Sequence, residues 1–287
     1  MKKWVILCGC CLLFSQPAWA VKLPRWEWGV GYFDGLTAHY FGANQYYHVQ
    51  LPLPYFNFRT ETLQVGDSNK FYIWKGESSW LDLSFSGRLA VRSESTTAAA
   101  PENVKDSKAV IVSTRNYARR GMDDLPWVLF AGVRYFRYLN DHLYMELPYF
   151  AGIPIGSAYR DVGQFYEPTI NFDFFPKQSS HGLILSASQL FGSATYNQFY
   201  YGVPAKDVLA DRPEYKSKAG LVVTTYGISL VFDLSRRLRV LAGGYRHDMR
   251  SSTVKSSPLV VAKVSNSILF GIIYKFGISE ELVEVSK

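Results

Sequence analysis

Chemistry in this 287-residue chain has to be sought first among its histidines, His39, His48, His142, His181 and His247. Only His247 stands close to both a carboxylate and hydroxyls, in His247-Asp248 followed by Ser251 and Ser252. A serine activated by a histidine that a carboxylate orients would hydrolyse an ester, and at a membrane rim the ester would be a lipid. The same four residues suit the polar end of a strand entering a loop, which is the preferred reading. No His-Glu-x-x-His run, Gly-x-Ser-x-Gly elbow or phosphate-cradling glycine loop is present. The cysteines Cys8, Cys10 and Cys11 all precede Ala20, so no thiolate metal site or disulfide is expected beyond it. The sequence therefore implies no metal, no cofactor and no enzyme.

A different chemistry, a charged path for solutes, is suggested by ionisable residues that alternate with apolar ones. Leu81, Leu83, Phe85, Gly87, Leu89 and Val91 fall in one phase, with Asp82 and Arg88 in the other. On a strand, successive side chains point to opposite faces, so one face suits lipid and the other water. Glu146, Asp161, Glu167 and Asp173 follow the same rule, each opposing aliphatic or aromatic neighbours. Asp82, Arg88, Glu146, Asp161, Glu167 and Asp173 are therefore expected to line a lumen. On the lipid side, a central arginine would cost about 2–4 kcal/mol.

The elements that would hold such a set are the strands of a transmembrane barrel. In Ser267–Phe276, Ile268, Phe270, Ile272, Tyr274 and Phe276 share one face, and Ser267, Gly271 and Lys275 the other. A terminal aromatic pair fits the membrane–water boundary, so Phe270, Tyr274 and Phe276 mark a barrel-closing strand that resembles the assembly signal of bacterial outer-membrane proteins. The bland alternative is a buried strand of a soluble sandwich. At the other end, Lys2 and Lys3, an apolar run from Trp4 to Phe14 and Ala18-Trp19-Ala20 read as a secretory signal peptide over residues 1–20. A lipoprotein site at Cys10 is the weaker alternative, because few apolar residues precede it.

Losing Lys2 and Lys3 lowers the formal charge of +7 by two. The remaining basic residues are scattered, which excludes a nucleic-acid surface but suits lipopolysaccharide phosphates. Aromatics make up 16% of residues, and no segment after residue 20 has the ~18 uninterrupted apolar residues of a membrane helix. Half-apolar strands satisfy both facts. We therefore expect an all-β fold, a transmembrane antiparallel up-and-down barrel over residues 21–276, after a cleaved signal peptide.

Strands are expected at Trp26–Asp34, His48–Arg59, Leu63–Lys75 (a hairpin or one bulged strand), Leu81–Val91, Leu125–Leu139, Leu143–Ile155, Tyr159–Phe175, His181–Phe191, Leu221–Leu234, Leu238–His247 and Ser267–Phe276. Pro52 and Pro54 each remove a ladder donor, so their strand needs a bulge, an end or a locally open seam. Both termini on one side require an even count. Twelve is expected and ten is the alternative, the extra strand coming from Ala109–Val112 or the Leu63–Lys75 hairpin. Long loops fall near 92–124 and 192–220, and residues 277–287 form a periplasmic tail or an added contact segment.

Three further stretches are Ala118-Arg119-Arg120-Gly121-Met122-Asp123-Asp124-Leu125, Tyr200-Tyr201-Gly202-Val203 and Ser257-Pro258-Leu259-Val260, ahead of the closing Tyr274-Lys275-Phe276. In content and order the chain resembles the MipA/OmpV family of outer-membrane proteins over nearly all of its mature length. The resemblance implies a non-catalytic barrel in the outer membrane of a Gram-negative bacterium, inserted by the barrel assembly machinery. It also implies, as partners, a periplasmic lytic transglycosylase and a murein synthase that the barrel scaffolds. Arg119, Arg120, Asp123 and Asp124 would form a loop ion-pair cluster that folds into the mouth or meets a partner, or else a solvated strand entry. Tyr200 and Tyr201 would anchor a folded-in loop or join an aromatic girdle. A narrow channel is the alternative function, because about twelve strands enclose more space than side chains fill.

Overall fold

In the computed structural model, residues 21–66, 69–94, 111–113, 116–156, 161–176, 179 and 181–285 are described. The strands are β1 (Val21–Pro24), β2 (Trp26–Ala38), β3 (Tyr46–Arg59), β4 (Leu63–Val65), β5 (Lys70–Lys75), β6 (Ser79–Arg88), β7 (Ile111–Ser113), β8 (Trp127–Tyr138) and β9 (Leu143–Ile155). They continue as β10 (Gln164–Tyr166), β11 (Thr169–Asp173), β12 (Gly182–Gly192), β13 (Gly220–Asp233), β14 (Leu238–Asp248), β15 (Val264–Ile278) and β16 (Leu282–Val285), with one α-helix among the described residues, α1 (Ala194–Tyr201), before β13. Antiparallel pairing runs β2-β3-β4-β5-β6-β8-β9 and on through β12-β13-β14-β15 back to β2. β10 and β11 both pair with β9 and β12 and form one wall strand broken at Glu167-Pro168. The result is a closed antiparallel barrel of twelve strands. The hairpin β4–β5 supplies the pair that makes the count even, whereas β7 only lies against β3 at Tyr47–Val49.

Strand phase follows the alternation in sequence. Phe85, Ile170, Tyr226, Ile228, Ile268, Phe270 and Phe276 are exposed on the outer face. Trp80, Asp82 and Ser84, one residue out of phase, are buried inside. An apolar exterior around a polar interior is stable only when hydrocarbon surrounds the barrel. Phe33 and Tyr245 lie flat along the inner wall over paired small residues. A Cβ on Gly271 would come 2.9 Å from the Phe33 ring, and one on Gly227 would come 2.6 Å from that of Tyr245.

The two prolines of β3 sit at an incomplete seam. Arg59 N donates to Arg25 O and His39 N to Gln45 O, so odd-numbered β3 residues turn their backbone groups toward β2. Pro52 and Pro54 therefore face the other way. On that side, among the described residues, β3 is paired only at 47–49 and 58–59. Missing donors cost nothing where no ladder is made.

Several expectations need correction. The strand expected to reach Val91 stops at Arg88, and Val91 instead bridges Leu125 and is buried. The segment expected as a strand from Tyr159 begins only at Gln164, so Asp161 and Val162 belong to a loop. Past Phe276, β15 continues to Ile278, and β16 pairs with β1 from Val21↔Val285 to Pro24↔Leu282. Arg25 fastens this ribbon through Glu281, at 2.8 Å. The proposed signal peptide at 1–20 and most of the 92–124 loop lie outside the described residues.

Candidate functional site

At the end of the barrel that carries the long loops, the chain folds back over its own mouth. Tyr40, Met122, Leu125, Tyr196, Tyr200, Tyr201, Val203, Val254 and Leu259 form one buried core with wall residues Val128, Phe130, Phe165, Leu190 and Val223. The loop expected at 192–220 is organised by α1, which starts where Ser193 Oγ accepts from Tyr196 N and ends at Gly202. Gly163 comes close beneath it with a φ of +79°, and a Cβ there would meet Tyr196 N at 2.3 Å. Only glycine adopts that conformation cheaply and leaves that space.

Polar groups tie the cap together through backbone carbonyls. Buried Arg212 donates to Asp207 O at 2.7 and 3.0 Å, to Ala118 O at 3.1 Å and to Arg120 O at 2.8 Å. Arg119, also buried, donates to Asp123 O at 3.2 Å and Tyr200 O at 3.5 Å. Ser257 donates to Tyr201 O at 2.7 Å, and Tyr40 to Leu259 O at 3.0 Å. The residues of the expected charge cluster all take partners in this folded-back part of the chain. Arg120 pairs with Asp211, Lys206 Nζ lies 2.9 Å from Asp123, and Asp124 accepts from Ser93 N at 2.7 Å. The hydrogen bond from Arg120 holds the exposed Asp211 carboxyl below its usual range. Burial pushes Tyr40 up to about 12 and His39 down to about 4. Outside this core, Arg119, Asp123, Asp161, Gln198 and Lys206 line a cleft of about 700 Å³.

Beneath the cap the lumen is polar. Arg134 bridges Asp82, at 3.3 Å, and Glu146, at 3.2 Å. Lys275 and Arg59 hold Glu27 at 2.7 and 2.8 Å, and Arg239 holds Asp233 at 2.7 Å. Glu167 accepts from Ser188 at 2.9 Å, while Asp173 closes a turn by accepting from Phe175 N and Leu183 N. Of the six residues expected in the lumen, Asp82, Arg88, Glu146 and Asp173 lie on strands with inward phase, and Glu167 sits at the break between β10 and β11. Asp161 is exposed in a loop and accepts from Gly163 N at 2.8 Å. Arg88 reaches up under the cap, its guanidinium 4.7 Å from the Phe41 ring and 5.9 Å from that of Tyr200.

Residues 30–276 match the family model of the MltA-interacting protein MipA. The chain belongs to the MipA family. With the closed barrel, membership makes it an outer-membrane barrel protein. No curated protein matches the chain. The three stretches that carried the resemblance to MipA converge in space: Arg119, Met122 and Leu125, then Tyr200, Tyr201 and Val203, then Ser257 and Leu259 are all in the cap. In this MipA-family chain Tyr200 and Tyr201 anchor a folded-in loop and are not girdle residues, because both are buried.

The hydrolase arrangement does not form. His247 points inward, 3.0 Å from Thr225 Oγ1 and 3.0 Å from Ser267 Oγ, while Asp248 is engaged by Arg250. Ser252 donates to Leu221 O, and Ser251 is exposed. Sequence reasoning missed Arg212, Glu27 and Arg59, and placed Lys275 inward without its partner; their partners lie 32 to 248 positions away along the chain, apart from Arg212–Asp207. It also missed an outward-facing polar set, in which Asp34 accepts from Gln50 at 2.7 Å and meets His48 at 3.0 Å. The alternation in β2 and β3 carries that signal, because all three have even numbers like Tyr32.

Proposed function

We propose that this barrel is a non-enzymatic anchor in the outer membrane of a Gram-negative cell, with its capped end outside and its short turns and β1–β16 ribbon in the periplasm. There it would hold a murein-cleaving lytic transglycosylase, and through it a murein synthase. The observation that carries this reading is the cap, since a mouth filled by a continuous apolar core suits a docking body better than an open pore. The ribbon supplies a surface at the other end, with Leu282, Glu281 and Glu284 exposed. Two-stranded edges of this kind bind extended partners by adding a strand.

The test is affinity capture of a purified lytic transglycosylase on the mature barrel in detergent, beside an unrelated barrel and a variant ending at Ile278. Retention by the full chain and loss in the shortened one is expected. Equal retention on all three columns would refute the anchor. A narrow channel remains the second reading because space persists under the cap. Discrete conductance steps of the wild type in a planar bilayer would favour it.

A further inference from the structure

Under the cap, two adjoining cavities of about 420 and 400 Å³ share Phe41, Tyr245 and His247 as walls. Volumes of this size are those of small-molecule sites. Phe41 roofs them, its ring 4.9 Å from that of His247. The second cavity runs down to Tyr144 and Ile184, within two residues of where β9 and β12 begin, so the chamber extends toward the turn end while the loop end is capped.

Three features of the chamber have different chemistry and one common fit. First, a hydrogen-bonded belt crosses its wall: Ser188 to Glu167 at 2.9 Å, Thr225 with His247 at 3.0 Å, His247 with Ser267 at 3.0 Å, and Ser267 to Thr37 at 3.2 Å. Asn171, Ser186 and Ser229 add further donors and acceptors. Second, Tyr245 lies flat on the wall, over Gly227 and Gly243, and presents a ring to both cavities. Third, Arg88 lines the first cavity, hydrogen-bonded to Tyr196 and in the field of Glu167 in the second cavity, but forming no direct ion pair among the described residues. A guanidinium in such a place is stabilised by a carboxylate or phosphate, which it grips through two parallel donors.

We propose that the chamber binds a small sugar acid entering from the turn end. The ring's apolar face would rest on Tyr245, its hydroxyls would bond to the belt, and its carboxylate would meet Arg88. This goes beyond the anchor reading and does not depend on it, since it concerns the isolated barrel and a free small molecule.

The experiment is equilibrium dialysis of the mature protein in detergent against N-acetylmuramic acid, glucuronic acid and the neutral N-acetylglucosamine. Saturable binding of the acids, about tenfold or more tighter than the neutral sugar, is expected. Arg88→Gln should erase that preference. Because Arg88 also touches the cap, Ser229→Phe serves as an independent variant that fills the chamber far from the cap. It should abolish binding of both acids while the heat-dependent gel shift of the folded barrel is kept. Absence of saturable binding at millimolar acid, or acid binding unchanged in Ser229→Phe, overturns the proposal.

Discussion

Arg212→Met should loosen the cap without unfolding the barrel. Arg212 is 3% exposed, and its four hydrogen bonds end on three backbone carbonyls, those of Asp207, Ala118 and Arg120. None of these residues belongs to a wall strand. A hydrogen bond from a charged donor contributes roughly 1.5–3 kcal/mol, so the low end for three carbonyls gives about 4 kcal/mol. At about 1.4 kcal/mol per tenfold, cap opening should become about a thousandfold more frequent. No cysteine follows Cys11, so a single Val203→Cys reports on the cap, Val203 being fully buried. The rate at which a soluble thiol reagent labels this cysteine follows the open population when reclosing is fast. Labelling in Val203→Cys/Arg212→Met no faster than in Val203→Cys alone would show that Arg212 is not what holds the cap.

Acid should open the same cap through His39. Burial lowers its pKa to about 4, so folding favours the neutral ring, and the stabilisation is complete above ~6.5 and lost as pH falls toward 4. The swing is at most about 3 kcal/mol. Thiol labelling of Val203→Cys, divided at each pH by the labelling rate of the same cysteine in urea-unfolded protein to remove the change in thiolate fraction, should rise between pH 7 and 4.5, and a His39→Phe background with the same rise would assign the effect elsewhere. Glu27→Gln should leave the buried cations Lys275 and Arg59 facing each other without their shared carboxylate. A loss of roughly 3 kcal/mol in urea unfolding from micelles is expected, and an unchanged midpoint would show the lumen to be wet enough to solvate them.

What the sequence made legible was set by period. Ile268, Phe270 and Ile272 declare their face because neighbours two apart in a strand share it, and Asp82 declares its own by opposition. Pro52 and Pro54 announced a seam because a missing donor has to face somewhere unpaired. The cap was not legible in that way. Tyr196, Asn197, Tyr200 and Tyr201 are the buried residues of α1, but the segment has no apolar stripe to mark it. The available signals were its ends, Ser193 as a cap and Gly202 as a stop. Extending the alternation from Glu167 back to Asp161 failed at Gly163, whose positive φ breaks the strand. Arg119 and Arg212 were ambiguous because a buried arginine bonded to carbonyls looks, in sequence, like a solvated one.

The ribbon of β1 and β16 joins the two ends of the described chain, with Val21 opposite Val285. β16 follows β15 directly along the chain, so it is the last of the described strands to be synthesised. A polypeptide cut short by premature termination or proteolysis would therefore leave β1 as a lone strand with a bare edge. The pairing state of residues 21–24 thus reports whether residues 282–285 have been made.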